Sequence, residues 1–200
     1  MPNIIFATIG ISGSGKSTLA DNLSKTISFK LICPDDIRKE TTGNISDQSQ
    51  NNKVFAIANK RLEQYIQKGN VFYSATNLSK EARKSIYKVA EVYKAKIIWL
   101  IMKDSWQPLV CEERVRNDLI NFVDRSDTLK TVGDKTPLTV IGLQHLKFKA
   151  CMQNIASEIR KYKAYALQVD SINTDIIVDF IINNNLIDWF KMKNEFLTLN

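Results

Sequence analysis

The chain has 200 residues, 44% of them hydrophobic and 24% charged, enough for one domain with its own core and typical of a water-soluble fold. Its 28 Lys and Arg against 21 Asp and Glu leave a formal charge of +7, which suits phosphate-rich partners but equally describes a lysine-rich solvated surface. No apolar run approaches the ~18 residues of a membrane span, and the start has neither the basic residues nor the cleavage site of a secretory leader.

The opening run Ile4-Ile5-Phe6-Ala7-Thr8-Ile9 is short, apolar and β-rich, and reads as a fully buried strand. Glycines follow, and then 18–26 with Leu19 and Leu23 on one helical face. A second short strand is expected at 29–33, broken by Pro34, with Asp35 and Asp36 just beyond its end. The polar stretch 41–52 reads as a loop. Helical spacing of Val54, Ile57, Ala58, Leu62, Tyr65 and Ile66 predicts a helix over 53–68, closed by Gly69-Asn70. Further strands are expected at 71–75, 96–102 and 165–170, and helices at 80–94 with Ser79 as N-cap, 111–120, about 137–162 and 174–183. The stretch 124–136 is polar and loop-like. Cys33, Cys111 and Cys151 match neither a zinc pattern nor a disulfide framework, so packing inside a protein of a reducing, cytoplasmic compartment is expected.

Strands alternating with helices imply an α/β fold with a parallel sheet. Right-handed crossovers then place every strand's C-terminal end along one edge, where ligands bind. Lys16, Asp35 and Asn77 all follow predicted strands and would meet there.

The strongest motif is Gly10-Ile11-Ser12-Gly13-Ser14-Gly15-Lys16-Ser17-Thr18, a complete Walker A phosphate cradle. Its glycines let backbone N–H groups turn inward at phosphate oxygens, and the following helix presents its positive end to the same anion. Lys16 can reach the β- and γ-phosphates of ATP. The Ser17 hydroxyl can bind Mg²⁺, and the Thr18 hydroxyl lies close to the α-phosphate. Asp35-Asp36-Ile37-Arg38 offers a carboxylate of the kind a small kinase needs to orient and deprotonate an acceptor hydroxyl. Read alone, that Asp is better explained as a cap on the following helix, with Arg38 pairing on its surface.

The combination of Gly13-Ser14-Gly15-Lys16-Ser17-Thr18, Asp35-Asp36-Ile37-Arg38 and Ala75-Thr76-Asn77-Leu78-Ser79-Lys80-Glu81-Ala82-Arg83-Lys84 resembles the phage-type polynucleotide 5′-kinase family, over about residues 3 to 170. The resemblance implies one P-loop kinase-like domain over 1–200: a sheet of about five strands flanked by helices, a helical lid near 111–136 and an extension over 184–200. It implies transfer of the ATP γ-phosphate to a DNA or RNA 5′-hydroxyl, a chemistry of nucleic-acid end repair, with Mg²⁺ and without membrane contact. Asp35 would be the general base. Arg38 would hold an acceptor phosphate and orient that carboxylate. Thr76, Asn77 and Arg83 would line the acceptor side. Arg116 would be the first lid arginine and Arg125 the second, with Lys130 and Lys135 as other cations there, while Arg114 reads as solvated surface.

The acid that opens the Thr-Asn element in the family is replaced here by Ser74 and Ala75, removing a group expected to help hold Arg38. No Asp-x-Asp-x-Thr phosphatase signature follows, and no end-trimming activity is expected. His145 reads as structural or surface, and Trp99, Trp106 and Trp189 form no stripe with basic residues. Two other readings use the same residues: a small-molecule or zeta-toxin-like kinase, and a nucleotide-dependent binding protein without transfer. The last would want an acid-terminated strand, which Tyr73-Ser74-Ala75 does not supply.

Overall fold

The computed structural model of the chain describes residues 2–43, 47–123 and 138–186. Arg125, Lys130, Lys135, the loop expected at 124–136 and most of the expected C-terminal extension lie outside those residues.

In chain order the elements are β1 (Ile4–Ile9), α1 (Lys16–Ser24), β2 (Lys30–Ile32), α2 (Pro34–Thr42), α3 (Asn51–Ile66), β3 (Val71–Tyr73) and α4 (Lys80–Val92). They continue with β4 (Lys96–Met102), a 3-10 turn (Lys103–Trp106), α5 (Pro108–Val123), α6 (Leu138–Tyr162), β5 (Tyr165–Val169) and α7 (Asp175–Asn183). The strands form one sheet in the order β2-β3-β1-β4-β5, and every pairing is parallel. Among the described residues no helix is long and apolar enough to cross a membrane.

The apolar run of β1 is buried on both faces, as a central parallel strand requires. Its side chains alternate. Ile5, Ala7 and Ile9 join the core under α3, α4 and α6, whereas Ile4 and Phe6 join the core under α1 and α7. Each such large side chain contributes roughly 1.5–3 kcal/mol by leaving water. The sheet is therefore a layer between two helical layers, with β1 flanked by β3 and β4. The crevice beyond its C-terminal end is where such sheets hold ligands.

α2 is the helix that follows the Asp pair, and it runs into the stretch expected as a loop. Pro34 starts it, because proline needs no partner for a missing N–H in the first turn. Asp35 and Asp36 sit in that turn, favoured by the helix dipole. Gly43 ends it at φ 75°, so the loop before α3 is shorter than the polar pattern suggested. Ser79 caps α4 as expected, its hydroxyl accepting from the Ala82 N–H at 3.1 Å.

The layer under α4 and α6 is joined by a buried ion pair. Arg83 Nη2 lies 2.7 Å from Glu158 Oε1, and Nε bonds Oε2 at 2.9 Å. Bidentate geometry offsets the desolvation of both charges, and removing one partner alone would cost about 3–5 kcal/mol. Cys111 and Cys151 are buried, Cys33 is half-buried, and all three are free thiols.

Candidate active site

The loop between β1 and α1 has the shape its glycines permit. Gly13 stands at φ 76° and Gly15 at φ 85°, a region that disfavours side chains. Space closes both positions as well. A Cβ on Gly13 would lie 2.3 Å from the Cys111 carbonyl oxygen, and one on Gly15 would lie 2.5 Å from Ser171 Cβ. α5 and the turn after β5 thus press on the loop from two sides. Gly15 is the N-cap of α1, so the helix begins at Lys16 and aims its positive end into the loop.

Within the loop, Ser14 is buried and its hydroxyl donates to the Ile11 carbonyl at 2.8 Å. Ser17 and Thr18 are exposed at the mouth of α1. Lys16 folds back, its Nζ 2.7 Å from the Ile11 carbonyl and 3.5 Å from that of Gly10. Desolvation pushes its pKa down to about 8, and the charge of Asp35 pulls it partly back up. Ser17, next to Lys16, and Asp36, next to Asp35, line one cleft, which brings the starts of α1 and α2 together.

Asp35 is 70% exposed and forms an ion pair with Arg38 one turn along α2. It does not cap the helix: the N-cap is Cys33, without a side-chain bond. Arg38 is only 4% exposed, and its Nη2 also donates to Asn51 Oδ1 at 3.1 Å. Asn51, at the start of α3, takes up part of the holding task for which the sequence offers no acid at Ser74 or Ala75. The structure thus brings Asp35 and Arg38 together on one helix, with Arg38 the buried member of the pair. Asp36, Ser17, Asp21, Cys33 and Ser74 line a cleft beside Asp35, together with Ala20 and Leu31.

Two of the residues expected on the acceptor side are buried. Asn77 is 3% exposed, at φ 47°, and its side-chain amide donates to the Thr8 carbonyl at 2.8 Å. It fastens the β3–α4 loop to the end of β1. Arg83 is 2% exposed: besides pairing with Glu158, its Nη1 donates to the carbonyls of Asn77 (2.9 Å) and Leu78 (3.0 Å). It supports the loop from beneath. Thr76 is half-buried, and its carbonyl accepts from the Gly10 N–H at 3.2 Å, tying this loop to the phosphate cradle.

Arg116, expected as the first lid arginine, is exposed and pairs with Glu112 of its own helix at 3.0 Å. Arg114, expected at the surface, is the residue that touches the cradle. Its Nη1 lies 3.2 Å from the Gly13 carbonyl and 2.6 Å from Asp104 Oδ2. His145 bonds the Ser105 carbonyl through Nδ1 at 2.9 Å, in keeping with a structural role.

Comparison with known proteins agrees with this geometry. A profile of the AAA domain family matches residues 5–118. The chain belongs to that family. Among solved structures, a putative kinase from Chloroflexus aurantiacus matches this AAA domain chain with a TM-score of 0.59 at 13% identity, covering 92% of this chain and 96% of that one. A chain of a Pnkp1/Rnl/Hen1 complex gives a TM-score of 0.46 at 18% identity, covering 68% of this chain; the AAA domain chain spans only 43% of that neighbour's length. The APS kinase of Mycobacterium tuberculosis gives 0.45 at 18% identity, covering 68% of this chain and 83% of that one. No curated protein sequence matches significantly. The shared feature is the fold: a parallel five-strand sheet with flanking helices, of the P-loop kinase kind.

Proposed function

We propose that this AAA domain protein is an ATP-dependent polynucleotide 5′-hydroxyl kinase. The observation that carries the kinase reading is Asp35: an exposed carboxylate beyond β2, held by a buried arginine on a helix whose Asp36 shares a cleft with Ser17 of the phosphate loop. A nucleotide switch needs no such base, and β3 ends without an acid. The nucleic-acid acceptor is supported by the Asp-Asp-x-Arg and Thr-Asn-Leu elements occurring together and by the charge of +7.

The chemistry follows from the arrangement. The loop amides and the start of α1 bind the phosphates of ATP, and Lys16 holds the β- and γ-oxygens. Asp35 accepts the proton of the acceptor hydroxyl as its oxygen forms a bond to the γ-phosphorus. The bond from that phosphorus to the β-bridging oxygen breaks, and ADP leaves. The exposed Ser17 hydroxyl and the Asp36 carboxylate share one cleft, a hard oxygen donor set that fits Mg²⁺, which takes only one or two protein ligands beside phosphate oxygens. When bound there, Mg²⁺ neutralises charge on the phosphates.

Arg38→Ala tests Asp35's support and the acceptor class together. The variant is expected to lower kcat by up to about 10²-fold, the effect of a misplaced catalytic group, with the ATP Kd nearly unchanged. For the wild-type protein, kcat/KM for a 5′-hydroxyl oligonucleotide should fall with salt, by about 0.7 log units per log of salt for each phosphate neutralised on a single strand. An unchanged kcat in Arg38→Ala would remove the orienting role. A flat salt response would favour a small uncharged acceptor.

A further inference from the structure

Besides the hydroxyls of Ser14 and Ser105, three side chains hydrogen-bond the cradle backbone between Gly10 and Gly13. Two are cations: Lys16 on the Ile11 carbonyl and Arg114 on the Gly13 carbonyl. The third is Gln144, half-buried on α6, whose Oε1 accepts the Ser12 N–H at 2.7 Å. No motif marks this glutamine, and it lies 132 positions from its partner.

A backbone N–H can only donate, so the oxygen of the Gln144 amide must face Ser12. That fixes the flip of the amide and leaves its NH₂ group as a pair of donors beside the cradle. Among the described residues no hydrogen bond from Nε2 is found. Bracing alone is a poor account of this side chain. The next residue already ties α6 to the loop: His145 bonds the Ser105 carbonyl, and the Ser105 hydroxyl accepts the Ile11 N–H at 3.2 Å.

Position supplies the role. The ammonium of Lys16 rests on Ile11, one residue from Ser12. A γ-phosphoryl group drawing on that ammonium stands next to Ser12, and hence next to the amide bonded there. We propose that Gln144 is a contact for the γ-phosphoryl group of the donor: Oε1 holds Ser12 while Nε2 donates to a γ-oxygen. This rests on the ATP phosphotransfer reading above. Gln144 exchanges no proton and forms no covalent bond. It is a neutral donor aimed where charge spreads over the phosphoryl oxygens during transfer, and loss of one such donor lowers the rate by roughly 10²- to 10³-fold.

The test compares a non-hydrolysable ATP analogue with ADP in equilibrium binding to the full chain, with transfer rates measured alongside. In Gln144→Ala the ADP Kd should stay within about twofold, while the analogue binds about tenfold more weakly, as expected on losing a hydrogen bond to a charged group. Gln144→Glu keeps an oxygen for the Ser12 N–H but sets a negative charge against the γ-phosphate. It should weaken the analogue beyond the alanine variant and leave ADP nearly unchanged, so this variant decides the matter even if Gln144→Ala does not fold. Equal weakening of ADP and the analogue in both variants, or wild-type analogue binding in Gln144→Glu, would overturn the proposal in favour of a brace. Failure of the wild-type protein to bind either nucleotide would instead refute the phosphotransfer reading, and the role of Gln144 would fall with it.

Discussion

Lys16→Ala is expected to abolish phosphoryl transfer while leaving the fold intact. The ammonium is the cation that rises directly from the loop, and Arg114 reaches only its Gly13 side. Charge placed where it develops in the transition state has no substitute in water, so the loss should bring the rate close to background. The fold should tolerate the change because Lys16 is not part of the core. Burial lowers its pKa from the usual 10.5 to about 8, so between these values the unfolded chain binds the proton more strongly than the folded one. The lysine therefore opposes folding below pH 8, and that opposition is relieved as pH rises from about 8 to 10.5. The variant should be at least as stable at pH 7 by thermal melting. The same shift predicts that ATP affinity of the wild-type protein declines as pH rises through 8, a dependence Lys16→Ala should lack. Near-normal transfer by the variant would remove the cradle from the mechanism.

Asp35→Asn is expected to keep ATP binding and lose transfer. The amide is nearly isosteric but cannot accept the acceptor's proton, and general-base assistance is worth roughly 10²- to 10⁴-fold. Asp36→Asn serves as the comparison. Asp36 lines the cleft of Ser17, so its loss should act through the metal and be eased by higher Mg²⁺. If Asp36→Asn is dead at every Mg²⁺ concentration and Asp35→Asn remains active, the roles within the pair are reversed.

The fold was legible in the sequence wherever apolar residues kept a clean period. β1 and β4 have the bounds expected, because both are unbroken apolar runs buried on two faces. The extent of α2 was not legible because its outer residues are polar and only Pro34, Ile37 and Arg38 are buried. The pairing of Asp35 with Arg38 could be read from i,i+3 spacing. The approach of Arg114 to the loop was legible in the same way: Cys111 is buried, and Arg114 lies three residues on and shares its face. The burial of Asn77 and Arg83 and the arrival of Gln144 at Ser12 could not. Their partners Thr8, Glu158 and Ser12 lie 69, 75 and 132 positions away, and nothing local encodes that approach.

The most direct measurement of the proposed function is transfer of label from the γ-phosphate of ATP to a panel of acceptors: 5′-hydroxyl DNA and RNA oligonucleotides, free nucleosides and amino sugars. A polynucleotide 5′-kinase is expected to label at least one oligonucleotide class at its 5′ end, not to label the same strand carrying a 5′-phosphate, and to lose the signal in Asp35→Asn. Labelling confined to nucleosides or amino sugars, with every oligonucleotide untouched, would contradict it.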